Sequence, residues 1–211
     1  MNPRPHTPVA LGLRALRGGP VAVAVALADQ EPRVVLSTRL ATAADGDRLA
    51  FEPYHVAFEL QRGRPGEVCA EAAAAVAEGR RRQARLAAEG LQGIVLRLAE
   101  AARAPVVAAL LVNRAGWMTD LLEHSLSAPE HPPVAEGLAV RDALRSACRG
   151  RGIPIVEMDE KSLRDAAAEG LRRPAAEIDA TLRELGRAAG RPWRAEQKLA
   201  CLAGWVAAAE L

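Results

Sequence analysis

Aromatic residues are scarce in this sequence: two Phe, one Tyr and three Trp among 211 residues. A surface that stacks successive bases on aromatic rings has little to be made from. Cysteine is scarce too. Cys69, Cys148 and Cys201 are odd in number, widely separated and lack any CxxC, so neither a disulfide framework nor a zinc knuckle is indicated. Each lies in an alanine-rich stretch of helical character and reads as a small core residue. The longest apolar runs, VAVAVALA at 21–28 and PVVAALLV at 105–112, fall far short of the ~20 residues that span a bilayer. Prolines and glycines punctuate the first 20 residues and leave no apolar stretch of signal-peptide type. The expectation is a cytoplasmic protein with no membrane partner. Charge of one sign is not in excess: the net charge is +2, too balanced to imply nucleic acid by itself. The glycine-rich nucleotide motifs GxGxxG and GxxxxGK(S/T) are absent, as is the nucleophile elbow GxSxG.

Alanine and valine dominate what is there, and half of the residues are hydrophobic. Alanine is the best helix former, so helices packed closely on a Val/Leu sheet are expected. Residues 1–20 read as a flexible lead-in, and residues 21–211 as a single α/β domain with a helical C-terminal part over 160–211. VAVAVALA (21–28) and RVVLSTRL (33–40) read as strands joined by turn residues at 29–32, the simplest connection being a hairpin. A short strand is expected within 45–53. An apolar stripe through Val68, Ala72, Val76, Gln83, Leu86, Leu91, Ile94, Val95 and Leu98 predicts helix over 67–102, with a break at Gly90 or Gly93. PVVAALLV has the continuous hydrophobicity of a central, parallel strand. Helices over 117–126 and 133–149, a strand over 153–159 and helices over 160–170, 174–189 and 194–210 complete the chain.

A hairpin or meander followed by alternating helices and strands predicts a mixed sheet with helices on both faces. This order resembles the ribonuclease H-like fold. Active members of that superfamily carry an aspartate within the first strand, and VAVAVALA has none. PVVAALLV carries no acid either, although a two-metal nuclease needs several converging carboxylates. Three local stretches are more particular: PYHVAFEL (53–60), AEGLAVRDAL (135–144) and GRPWRAEQKLACLAGW (190–205). Together they resemble a family of bacterial proteins in which Pro-Tyr-His, Ala-Glu-Gly…Arg-Asp-Ala-Leu and Pro-Trp…Gln-Lys recur in this order. That resemblance implies no activity.

The candidate site residues come from these stretches. Glu136 falls in a first helical turn, where negative charge meets the positive helix end. On a helical wheel it shares a face with Val140, Ala143, Leu144 and Ala147, the apolar face. A carboxylate there is either paired in the interior or lines a cleft. Arg141 stands at the edge of that stripe. His131 precedes the helix and reads as a loop histidine or a ligand-contacting one. A metal held by His124, His131 and Glu136 matches no recognisable spacing. Tyr54 and His55 lie in an expected extended segment pointing to opposite sides, either as part of a hydrophobic plug or with His55 as a general base. Asn113 and Arg114 follow the central strand, where ligands bind in open α/β sheets. Glu196 and Lys198 open the last helix, as a docking helix or as an acid and cation brought to the sheet edge. The cofactor is left undetermined.

Three functions are compatible with these residues. The first is a non-catalytic binding or scaffold module, with homo-oligomerisation as an option. The second is a nuclease-like or other hydrolase drawing on His55, Glu136, Arg141, Glu196 and Lys198. The third is a nucleic-acid binder using the densest basic run, Arg80, Arg81, Arg82 and Arg85, although that run reads more readily as a solvated helix face.

Overall fold

The computed structural model describes residues 7–64, 66–113, 118 and 120–211. Five strands form one sheet in the order β3-β2-β1-β4-β5. β2 (Val21–Ala28) and β3 (Glu31–Arg39) make the expected hairpin, closed by Asp29 and Gln30. Both turn residues have positive φ, 52° and 66°. That is the backbone hand which matches the twist of a two-residue hairpin. β4 (Arg103–Val112) runs parallel to β1 on one side and to β5 (Ile155–Asp159) on the other.

The first strand, β1 (Thr7–Arg14), corrects the reading of residues 1–20 as a lead-in. It is the middle strand of the sheet, antiparallel to β2 and parallel to β4. Its prolines and glycines concealed it, but each has a place there. Pro8 lies near the strand's start, where a missing N–H is tolerated. Gly12 lies under the last helix. A Cβ on Gly12 would stand 1.7 Å from the Ala200 carbonyl oxygen, and one on Gly204 would stand 3.0 Å from the Gly12 nitrogen. Sheet and helix therefore touch backbone to backbone, which only these small residues permit.

α1 (Arg48–Phe51) and α2 (Pro53–Gln61) replace the strand expected within 45–53. The Asp47 side chain accepts the Ala50 amide at 3.1 Å, and Pro53 occupies the first turn of α2, where proline costs nothing. α3 (Ala70–Glu100) runs unbroken for 31 residues, about 46 Å at 1.5 Å per residue. The expected break at Gly90 or Gly93 does not occur. Gly90 is where the Leu40 side chain packs against the helix, 3.1 Å from a Cβ built there. The buried positions of α3, namely Ala72, Val76, Gly79, Gln83, Ala87, Leu91, Ile94 and Leu98, recur every three or four residues.

α4 (Leu121–Ser127), α5 (Pro132–Gly150), α6 (Leu163–Leu171), α7 (Ala175–Ala189) and α8 (Ala195–Ala209) complete the chain. α3 and α5 cover one face of the sheet, packing on Val9, Leu11 and Leu13. α6, α7 and α8 cover the other, packing on Ala10, Val21, Val23 and Val25. Trp205 on α8 is 1% exposed, and burying a side chain of this size contributes about 2–3 kcal/mol. A third cluster joins Tyr54 and Ala57 of α2 to Ala72 and Val76 of α3 and to Ala135 and Ala139 of α5. No helix among the described residues is long and apolar enough to cross a membrane.

Candidate functional site

The wheel reading of α5 places Glu136 inward, and the carboxylate is fully buried. Its Oε1 accepts the backbone N–H of Tyr54 at 2.7 Å and of His55 at 3.2 Å. These are first-turn amides of α2, which no side chain of α2's own start caps. Glu136 is therefore the N-terminal cap of another helix. The Tyr54-His55 segment is helical, not extended, and it is the amides that engage Glu136. Oε2 has no hydrogen-bond partner among the described residues. Burial pushes the carboxyl from its usual 4.5 up to about 8, against the pull of the His55 and Tyr54 amides. It is thus protonated at neutral pH.

The other expected residues divide. His55 Nδ1 is buried without a partner among the described residues, as is the Tyr54 hydroxyl. Burial raises the Tyr54 pKa to about 12. His131 starts α5. Its Nδ1 lies 2.8 Å from Ser127 Oγ and 3.0 Å from the His124 carbonyl, and its ring stacks on His124 at 4.1 Å. Its partners are thus on α4 and not at Glu136. Among the described residues no three His, Cys, Asp or Glu side chains are grouped to hold a metal ion. Glu196 and Lys198 sit at the start of α8, on the sheet face opposite α5. His55 and Glu136 therefore meet each other but do not meet Glu196. Arg114 lies outside the described residues.

What does assemble is the edge where β1, β4 and β5 end. Arg14, the last residue of β1, donates to Glu160 just beyond β5, Nε at 3.0 Å and Nη2 at 2.7 Å. This paired fork raises the pKa of Arg14, and Glu196 adds to the effect from α8. Asn113, just after β4, accepts from Arg141 on α5. Arg141 is half-buried, its Nε has no hydrogen-bond partner, and it forms no ion pair among the described residues. Burial and the nearby Arg145 hold its pKa below the usual guanidinium value.

A cleft of about 550 Å³ opens beside Arg141. Apolar side chains of α3, α4 and α5 line it, together with Tyr54, Asn113, Arg80 and Arg145. Asp142 takes Arg80 at 2.9 Å and Arg145 at 2.7 Å, and Glu157 takes Arg145 at 2.6 Å. Asp120, also lining the cleft, is engaged by the Leu122 and Glu123 amides. With these acids engaged, Arg141 is the lining arginine left without an acidic partner among the described residues.

Sequence reasoning missed Arg14 and Glu160. The apolar VALGL before Arg14 was the available signal. Of the two readings of the basic run, the structure fits the solvated helix face. Arg80 pairs with Asp142, Arg81 with Glu78, Arg82 with Glu78 and Asp47, and Arg85 with Glu89. The densest cluster of arginines is neutralised by neighbouring acids.

The chain matches solved structures over almost its whole length. Thermus thermophilus RuvC superposes with a TM-score of 0.55 at 11% identity, covering 95% of this chain and 93% of that one. The same protein in complex with a Holliday junction substrate gives 0.54 at 10% identity, over 95% and 92%. The fold is ribonuclease H-like, of the RuvC type. The yeast mitochondrial Holliday junction resolvase Ydc2 superposes at 0.43, with 12% identity over 99% and 82%. No family model and no curated protein matches the sequence, so the three-stretch family resemblance gains no support.

Nucleases of the two-metal type hold their cations with converging carboxylates. The donors here do not fit that pair. β1 contributes no carboxylate and ends in a guanidinium, which occupies both oxygens of Glu160. β4 is followed by Asn113, bonded to Arg141. On α8, the Gln197 Oε1 turns back to the Arg194 amide at 2.9 Å.

Proposed function

We propose that this chain is a nucleic-acid-binding protein on a RuvC-type fold, engaging phosphate at the C-terminal edge of its sheet. The observation that carries this reading is Arg141, a half-buried cation without an acidic partner, opening on a cleft at that edge. Removing a guanidinium from water is costly. A phosphate entering the cleft supplies an anionic partner to the guanidinium, while Asn113 fixes the orientation of the fork. A guanidinium suits this task because its planar donors match a phosphate in a bidentate manner.

The test is binding of labelled four-way junction, duplex and single-stranded DNA, followed by fluorescence anisotropy. Arg141→Ala is expected to weaken binding about tenfold or more, the range for a hydrogen bond to a charged group. No binding by the unaltered chain would refute the reading.

The fold likeness favours a second reading, nuclease-like hydrolysis at the same edge with Glu160 and Glu196 as its carboxylates. It requires Arg14 to release Glu160. Incubating the same substrates with Mg²⁺ or Mn²⁺ tests it. Intact substrate with both the unaltered chain and Arg14→Ala would set this second reading aside.

A further inference from the structure

The junction of α7 and α8 carries a surface that the edge site does not use. Arg183 and Arg187 stand one turn apart on α7, Arg191 and Arg194 lie in the connection, and Lys198 is in the first turns of α8. Together they line a groove of about 830 Å³ with Gly186, Gly190, Pro192 and Trp193. No acid lines it. None of the five cations forms an ion pair among the described residues, unlike Arg80, Arg81, Arg82 and Arg85. Four of the five are exposed, and Lys198 is half-buried.

Trp193 is held in place within this groove. Its Nε1 donates to the Leu182 carbonyl at 3.0 Å, and its ring rests on Gly186, where a Cβ would stand 2.2 Å from Cδ1. The ring is half-buried, and its remaining exposed part borders the groove. Five unpaired cations lining one groove beside a fixed indole suit an extended polyanion with flat groups along it. A small anion would engage only two or three of them.

We propose that this groove is a track for the sugar–phosphate backbone of a nucleic acid, with Trp193 receiving a base or the terminal base pair. The five cations contact successive phosphates, and stacking on the indole adds affinity without sequence preference. The proposal rests on the nucleic-acid reading above and extends it to a second surface, reached from the edge through Glu196 and Lys198 at the start of α8.

The test uses the full chain with fluorescein-labelled single-stranded and duplex DNA, titrated at several salt concentrations. The double variant Arg187→Ala/Arg191→Ala changes exposed side chains only, so its thermal melt should match that of the unaltered chain. Its affinity is expected to fall about tenfold or more, and its salt dependence to become shallower by about 1.4–1.8 in log–log slope, for two lost phosphate contacts. Indole quenching on binding should shrink in Trp193→Phe, which keeps an aromatic ring on Gly186. If the double variant binds like the unaltered chain while Arg141→Ala binds weakly, the groove proposal is overturned and the edge reading stands. If the unaltered chain binds neither DNA probe nor an RNA of the same sequence, yet binds phosphatidylserine vesicles, both fall.

Discussion

Replacing Glu136 by Gln isolates the most unusual electrostatic feature of the interior. The side chain is fully buried, its Oε1 caps α2, and its carboxyl is raised from 4.5 to about 8. The folded protein therefore holds a proton that the unfolded chain releases above its own pKa. This stability is fully present below about pH 4.5 and is lost as pH rises to about 8. At about 1.4 kcal/mol per pH unit, the whole loss is roughly 4–5 kcal/mol. Glutamine cannot ionise. It keeps an oxygen to accept the Tyr54 and His55 amides, and its buried NH₂ costs about 1–3 kcal/mol, comparable to the unpartnered carboxyl that it replaces. Urea unfolding of both proteins at about pH 5, 7 and 9 reads the difference directly, since all other groups titrate alike in the two. Near pH 5 the two should be close in stability. Near pH 9, Glu136→Gln should be the more stable by about 4 kcal/mol. Glu136→Ala, which strands both amides, should be destabilised by about 2–4 kcal/mol near pH 5, and this deficit should close or reverse near pH 9, because alanine cannot ionise either. A stability difference between Glu136→Gln and the unaltered chain that stays constant from pH 5 to pH 9 would refute a protonated Glu136.

Other substitutions and reagents probe separate features. Gly12→Ala places a methyl group inside the α8 backbone and should destabilise by about 3 kcal/mol or more, seen as a lowered melting temperature or loss of soluble protein. An unchanged melt would mean that α8 does not cross β1 there. Among the thiols, burial raises Cys148 to about 11 and Cys201 to about 12. A colorimetric thiol reagent near neutral pH should therefore titrate Cys69 alone in the folded protein and all three cysteines in guanidinium. Rapid reaction at two or three sites in the native state would contradict the burial. Arg81→Ala/Arg85→Ala should change DNA affinity less than twofold, because both side chains already face acids. A loss as large as that of the groove variant would show that sequence density and not pairing governs binding.

The periodicity of α3 and α5 and the β2–β3 hairpin were legible because they rest on local pattern. Alternation in the hairpin and three-to-four spacing in the helices place apolar side chains on one side whatever lies opposite. Glu136 was legible in part for the same reason, since its place on the wheel put it inside. What it caps was not, because Tyr54 and His55 are some eighty positions away and their segment was read as extended. β1 was hidden because a glycine that admits a crossing helix looks, in one dimension, like a glycine in a loop. Which basic residues stay unpaired was hidden for a similar reason. Arg80 to Arg85 are adjacent in sequence to the acids that neutralise them or meet them in the fold, whereas the five cations of the α7–α8 groove are spread over sixteen residues.

Local propensity and hydrophobic period by themselves determined most of the elements, the mixed α/β class and which helix faces turn inward. Only the tertiary structure decided which charges remain uncompensated, because a charge is neutralised by whatever stands within a few ångströms of it. That neighbour is as often across the fold, as Glu160 is for Arg14, as it is one helical turn away.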